Sequence, residues 1–200
     1  MSRTLKMIPL ILLAVAAGCV VYSLNPFCGK DKVVELKELD GWWQLTESCG
    51  ENVTDKNITP WRISGGQITS YDTANKPSEF KAAFFKLKSS CFADMTGDSS
   101  LNNAYWNISV IPMHILLKVE LKDNTLTFIP LNVEWFQKAG NEQVKMLKYV
   151  IYESNPKIRI YTASSGEWEK FLENNLDNPE LFNQKQKVVL KKIQSENSGK

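Results

Sequence analysis

From residue 41 onward apolar and polar positions alternate along much of the chain. In His114–Lys122, Ile115, Leu117, Val119 and Leu121 fall on one face, and His114, Lys118, Glu120 and Lys122 on the other. That period of two is the mark of a half-buried strand. Asp123-Asn124 supplies two residues that tolerate left-handed turn geometry, and Thr125–Phe136 is expected to run on as the second arm of a hairpin, kinked at Pro130. The same logic pairs 61–63 with 67–71 around Gly65-Gly66, and 147–153 with 157–162 around Ser154-Asn155-Pro156. Further strands are expected at 42–47, 79–87 and 105–111, with a closing strand at 187–193 in which Val188, Leu190 and Lys192 share a face.

One segment departs from this period. Ser164 followed by Glu167 forms a capping box, and Trp168, Phe171, Leu172 and Leu176 recur at helical spacing until Asn178-Pro179. The expected fold is therefore mainly β: an antiparallel up-and-down β-barrel with one C-terminal helix and a closing strand. Closure removes the exposed edges that so long a meander would otherwise leave.

The first thirty residues have a different character. Arg3 and Lys6 precede an uninterrupted apolar run from Met7 to Ala17, and Ala16-Ala17-Gly18 places small residues before Cys19. This matches an export signal over residues 1–18. It also resembles a bacterial lipoprotein signal, which implies a diacylated, palmitate-bearing Cys19 as the new N-terminus. Val20 after the cysteine, in place of aspartate, is then similar to the sorting signal for the outer membrane, facing the periplasm or the surface. The alternative is an uncleaved anchor: Met7–Leu24 spans roughly 27 Å at 1.5 Å per residue and crosses a thin bilayer. Both readings place the remainder in the cell envelope, because positive charges before the segment favour a cytoplasmic N-terminus. The expected organisation is a signal peptide at 1–18, a tether at 19–37, the barrel domain at 38–193 and a disordered tail at 194–200.

Charge and cysteines narrow the function. The chain carries 24 basic and 22 acidic side chains, and Arg3 and Lys6 lie in the leader, so the exported part is balanced. A nucleic-acid partner is not expected, since phosphate binding needs a cationic excess. An exported location permits disulfides. With Cys19 acylated, Cys28, Cys49 and Cys91 remain; Cys49 with Cys91 is the first pairing considered, and Cys28 with Cys49 the alternative.

Gly41-Trp42-Trp43, opening the first barrel strand, reproduces the Gly-x-Trp signature of lipocalins. With the meander and the late helix it makes residues 38–193 resemble a lipocalin-like bacterial lipoprotein. The resemblance implies that Gly41 and Trp43 plug one end of the barrel under a basic residue, with Arg159 the nearest match. It also implies an apolar interior able to hold one small hydrophobic molecule. Phe84, Phe128, Trp135, Tyr149 and Tyr161 are the candidates to line it, or else simply to fill a core. The Thr-Asp-Tyr-type motif expected mid-barrel is absent, and Cys91–Asn103 reads as a long polar loop.

His114 is the only histidine and is expected on the surface. No Gly-x-Ser-x-Gly elbow and no His or Cys pair at metal spacing occurs, so neither an enzyme, a metal site nor a cofactor is expected. Three Asn-x-Ser/Thr triplets, at Asn52, Asn57 and Asn107, carry little weight in an Asn-rich chain. The leading expectation is a membrane-anchored envelope lipoprotein whose barrel binds a small apolar ligand. The alternative is a non-catalytic lipoprotein that docks on an envelope protein complex.

Overall fold

The structure is a computed structural model that describes residues 20–54, 59–71, 77–97, 113–138, 142–151 and 158–194. After a short strand β1 (Tyr22–Ser23) the chain forms β2 (Gly41–Ser48), β3 (Glu51–Asn52), β4 (Trp61–Ser64), β5 (Gln67–Tyr71), β6 (Pro77–Leu87), β7 (Ser90–Gly97), β8 (His114–Lys122) and β9 (Thr125–Pro130). There follow helices α1 (Val133–Gln137) and α2 (Glu142–Lys145), strands β10 (Tyr149–Ile151) and β11 (Arg159–Tyr161), helix α3 (Ser165–Asn175) and strand β12 (Val188–Ile193).

Eight of these strands close on themselves. Each barrel strand from β4 to β9 pairs antiparallel with the one before it, β4 starting from β2, and β12 completes the ring by pairing antiparallel with both β9 and β2. The barrel is thus an antiparallel meander whose eighth strand arrives late, after an excursion of two short helices, a hairpin and α3. The turns have the expected chemistry. Asp123 and Asn124 both take positive φ between β8 and β9, as a two-residue hairpin turn requires.

Two hydrophobic cores result. Inside the barrel, Trp43, Ile63, Ile68, Phe84, Ala93, Met95, Leu117, Leu126, Phe128 and Leu190 pack together. Outside it, Phe85, Leu87, Phe92, Leu116 and Ile129 project from the other face of β6–β9 into a second core with Val21, Phe27, Trp135, Phe136, Tyr161, Trp168 and Phe171. Alternation along β6–β9 therefore sends apolar residues both ways. Leu116, on the face of β8 that carries His114, Lys118 and Glu120, is buried against the excursion.

Several elements differ from expectation. The second arm of the β8–β9 hairpin ends at Pro130 rather than running to Phe136. Asn132 then caps α1, its side-chain oxygen accepting from the backbone amides of Glu134 and Trp135, a local bond that favours a helix start over a strand. Cys91 does not open a loop; it lies in β7, which continues to Gly97. The expected strand at 105–111 falls outside the described residues, as do the leader with Cys19 and most of the tail.

The stretch expected as a tether is, from Val20 on, part of the fold. β1 pairs antiparallel with β8 and parallel with β11, extending the sheet sideways to β10 at its edge. Phe27 and Cys28 are buried. Polar contacts stitch the segment to α3: Gly29 N donates to Glu169 Oε1 at 2.7 Å, Lys32 Nζ pairs with Glu169 Oε2 at 2.6 Å, and Trp168 Nε1 donates to Ser23 Oγ at 3.0 Å. Burial of Val21, Tyr22 and Phe27, at about 1.5–3 kcal/mol for each large apolar side chain, offsets part of the entropy cost of ordering the segment. The capping box of α3 is present in full, with Ser164 N donating to Glu167 Oε2 at 2.8 Å.

Phe92 is fully buried between the rings of Phe85 and Phe182, at 5.3 and 6.0 Å. Phe92→Ala is expected to destabilise by about 3–5 kcal/mol and Ser164→Ala by only about 1 kcal/mol, measured as shifts in the urea unfolding midpoint at constant slope.

Candidate functional site

One end of the barrel is closed by a small set of residues that act together. A 3₁₀ turn at Lys37–Leu39 enters β2 and buries Leu39. The Trp43 indole is fully buried and its Nε1 donates to Leu39 O at 2.8 Å. From the last strand, Lys192 Nζ donates to Glu38 O at 2.8 Å and sits 5.2 Å from the Trp43 ring centroid. Two side chains from opposite ends of the barrel sequence thus take two adjacent carbonyls of the same turn. The backbone explains Gly41: its φ is +135°, and a Cβ there would meet Lys192 Cε at 3.2 Å. A side chain at 41 would strain the backbone and press on the lysine stem.

The basic residue over the tryptophan is therefore Lys192, and Arg159 does not fill that role. Arg159 stands in the side sheet, where Nη1 donates to Phe136 O at 2.9 Å and the guanidinium lies 4.9 Å from the Tyr149 ring. Register decides this. Lys192 pairs directly with Trp43, whereas β11 pairs only with β1 and β10.

The five cavity candidates divide between two places. Phe84 and Phe128 face the barrel lumen; Trp135 and Tyr161 belong to the second core; Tyr149 is on the edge strand and 41% exposed. The lumen side chains are nearly inaccessible: Phe84 at 4%, Phe128 at 2%, and Ile68, Ala93, Leu126 and Leu190 at 0%. Side chains lining an open chamber keep accessible surface toward it, so these residues fill the space between them with one another. A cavity of about 10 Å³ lies in the side module, lined by Val20, Val21, Phe136, Ile158, Arg159 and Tyr161 among others, and holds about one water. Tyr161 has a buried hydroxyl without a hydrogen-bond partner. Burial pushes that hydroxyl up to about 12 against the opposing charge of Arg159.

The expected Cys49–Cys91 bridge is not formed, and no disulfide joins the described cysteines. Cys91 is on β7 and Cys49 follows β2, four strands away in either direction round the ring. An eight-stranded barrel is roughly 15 Å across, whereas a disulfide needs Cα atoms within about 7 Å. Cys28 is enclosed in the second core, away from both.

A group not anticipated from sequence joins the N-terminal segment to the barrel wall. Asp94 is 3% exposed on the outer face of β7. Its Oδ2 accepts from Phe27 N at 3.0 Å, and its Oδ1 lies 2.8 Å from His114 Nδ1. A carboxylate only accepts, so the pair places the imidazole proton on Nδ1. His114 is thus half-buried and engaged with an acid. Cys28 lies near the same carboxylate, but its thiol is far from activated. Burial first, and then the charges of Asp94, Glu169 and Asp31, push it up to about 12, so it is not a thiolate nucleophile at neutral pH. Among the described residues no group of three His, Cys, Asp or Glu side chains is arranged to hold a metal ion.

Lys192→Ala is expected to cost about 1–2 kcal/mol through the lost cation–π contact and hydrogen bond and to shift the emission of the buried indole, whereas Arg159→Ala leaves that emission unchanged. The thiol generates a pH prediction. Up to pH 9 the Cys28 proton is held in both folded and unfolded states; between 9 and about 12 only the unfolded state loses it, so stability falls as pH rises. Chemical denaturation at pH 9 and 10 is expected to show Cys28→Ala flattening that fall by up to about 1.4 kcal/mol per pH unit. Comparison with known proteins finds no matching family model, no matching curated protein and no matching solved structure.

Proposed function

We propose that this chain is a membrane-tethered lipoprotein of the cell envelope whose lipocalin-like barrel serves as a non-catalytic docking module for an envelope protein. The observation that carries the docking reading is the packing of the lumen above Trp43, where Ile68, Phe84, Leu126, Phe128 and Leu190 are almost without accessible surface. The likeness to lipocalins is supported by Gly41, Trp43 and Lys192 at the closed end. Tethering is supported by the leader, with Arg3 and Lys6 before an apolar run and small residues before Cys19. Among the described residues no helix is long and apolar enough to cross a membrane.

The docking surface in this reading is the barrel end opposite Trp43. β5 and β7 end there and β4, β6 and β8 begin there, and rigid barrels characteristically carry recognition on the connections between such strand ends. An apolar-ligand reading has one specific observation in its favour. Leu45, Phe80 and Ile115, on the strand segments leading to these connections, are only partly buried where they pack on the lumen cluster, and a slender ligand inserted there would cover them.

Metabolic labelling with a palmitate analogue is expected to mark the wild-type chain and not Cys19→Ser. Native mass spectrometry of the full-length protein from membranes is expected to show no stoichiometric small molecule, while crosslinking in cells recovers a stoichiometric protein partner. A co-purifying apolar molecule at one per chain would replace the docking reading with the ligand reading.

A further inference from the structure

The side sheet ends in a strand whose composition does not suit water. β10 is the outermost strand of the path β10-β11-β1-β8, and all three of its residues are apolar or aromatic and exposed: Tyr149 at 41%, Val150 at 51% and Ile151 at 53%. Met146, just before it, is 47% exposed. These four are most of the large hydrophobic side chains exposed among the described residues. Their clustering on one edge is what distinguishes a contact surface from scattered apolar exposure.

The position of this edge relative to the leader identifies what covers it. The described chain begins at Val20, which lines the same small cavity as Ile158 and Arg159, and Arg159 is the register partner of Ile151. β1 lies two strands from β10, a separation of about 10 Å. Nineteen residues precede Val20, among them the apolar run Met7–Ala17 and Cys19. Whether the anchor is a lipid on Cys19 or an uncleaved helix, it leaves the fold within about three strand spacings of Tyr149, Val150 and Ile151. Exposed Lys145 and Lys148 flank the apolar residues, with Glu167 the acid close to Lys148. Tyrosine, aliphatic side chains and lysines on one edge match the composition that partitions to the headgroup boundary of a bilayer.

We propose that this edge, Met146 with Tyr149, Val150 and Ile151, rests on the bilayer surface beside the point where the anchor leaves, and so fixes how the barrel is held over the membrane. The proposal deepens the tethered reading above and rests on it. A second copy of the chain fits less well. A strand of three residues is about 10 Å long, so a strip about 10 Å wide along it covers only about 100 Å², far short of the roughly 800 Å² per partner that a stable dimer buries. A bilayer contact needs no such area, because the anchor already holds the edge at high effective concentration.

The test uses the full-length chain reconstituted in vesicles of phosphatidylethanolamine and phosphatidylglycerol, with p-benzoyl-phenylalanine replacing Val150, or replacing Leu121 as the control. Leu121 is 43% exposed on the barrel strand β8. After irradiation, a mass increase of one phospholipid is expected several-fold more often at 150 than at 121, in protein that co-floats with the vesicles. Co-flotation with equal or absent lipid adducts at the two positions overturns the bilayer contact while leaving the tether intact. A crosslinked dimer through position 150 also overturns it, in favour of self-association. Failure to co-float overturns the tethered reading itself, and the edge contact with it.

Discussion

The architecture depends on four strands that bury both of their faces. β6, β7, β8 and β9 turn Phe84, Ala93, Met95, Leu117 and Phe128 into the lumen and Phe85, Phe92, Leu116 and Ile129 outward. A barrel wall in water would carry polar groups on that outer face. Here the apolar outer face requires a cover, and the N-terminal segment and the excursion between β9 and β12 supply it. The wall is thus shared by two cores, and neither is complete without the other. The buried carboxylate of Asp94 sits on the same outer face, where it is tolerable because Phe27 N and His114 both engage it.

The closed end follows from register rather than from any single strong bond. Lys192 reaches Trp43 because β12 lies beside β2, and Gly41 leaves room for the lysine stem. Trp43 and Lys192 then hold the turn at Lys37–Leu39 across the barrel floor. The contacts join the beginning of the barrel to its end. Above this floor Ile63, Ile68, Leu126 and Leu190 are almost without accessible surface.

Much of the fold was legible because period-two alternation is a direct consequence of strand geometry. The hairpins around Gly65-Gly66 and Asp123-Asn124, the capping box at Ser164 and the closing strand at 188–193 all follow from local rules. What escaped was information carried by the second core. Leu116 stands among His114, Lys118 and Glu120, and a single-face reading passes over it. The Phe84-Phe85 and Cys91-Phe92-Ala93 runs break the alternation because both faces are buried, which blurs the signal that marks a half-buried strand. Pro130 was legible as a disturbance, but the helix after it depends on Asn132 acting as a cap, a choice between local hydrogen bonds. At the floor, the parity of the closing strand put Lys192 on one face with Val188 and Leu190, which the structure then buries in the lumen cluster. The resemblance pointed to Arg159 by chain position alone. Asp94 carried no sequence signal, since its partners come from residues 20 and 67 positions away.

The lateness of β12 has a consequence for biogenesis. As the polypeptide emerges, β2 through β9 can assemble into a curved seven-stranded sheet, but its two outermost strands have no mates until residues 188–193 appear. For that interval the nascent chain presents two raw sheet margins and an unroofed apolar trough. That is the kind of intermediate which holding chaperones recognise.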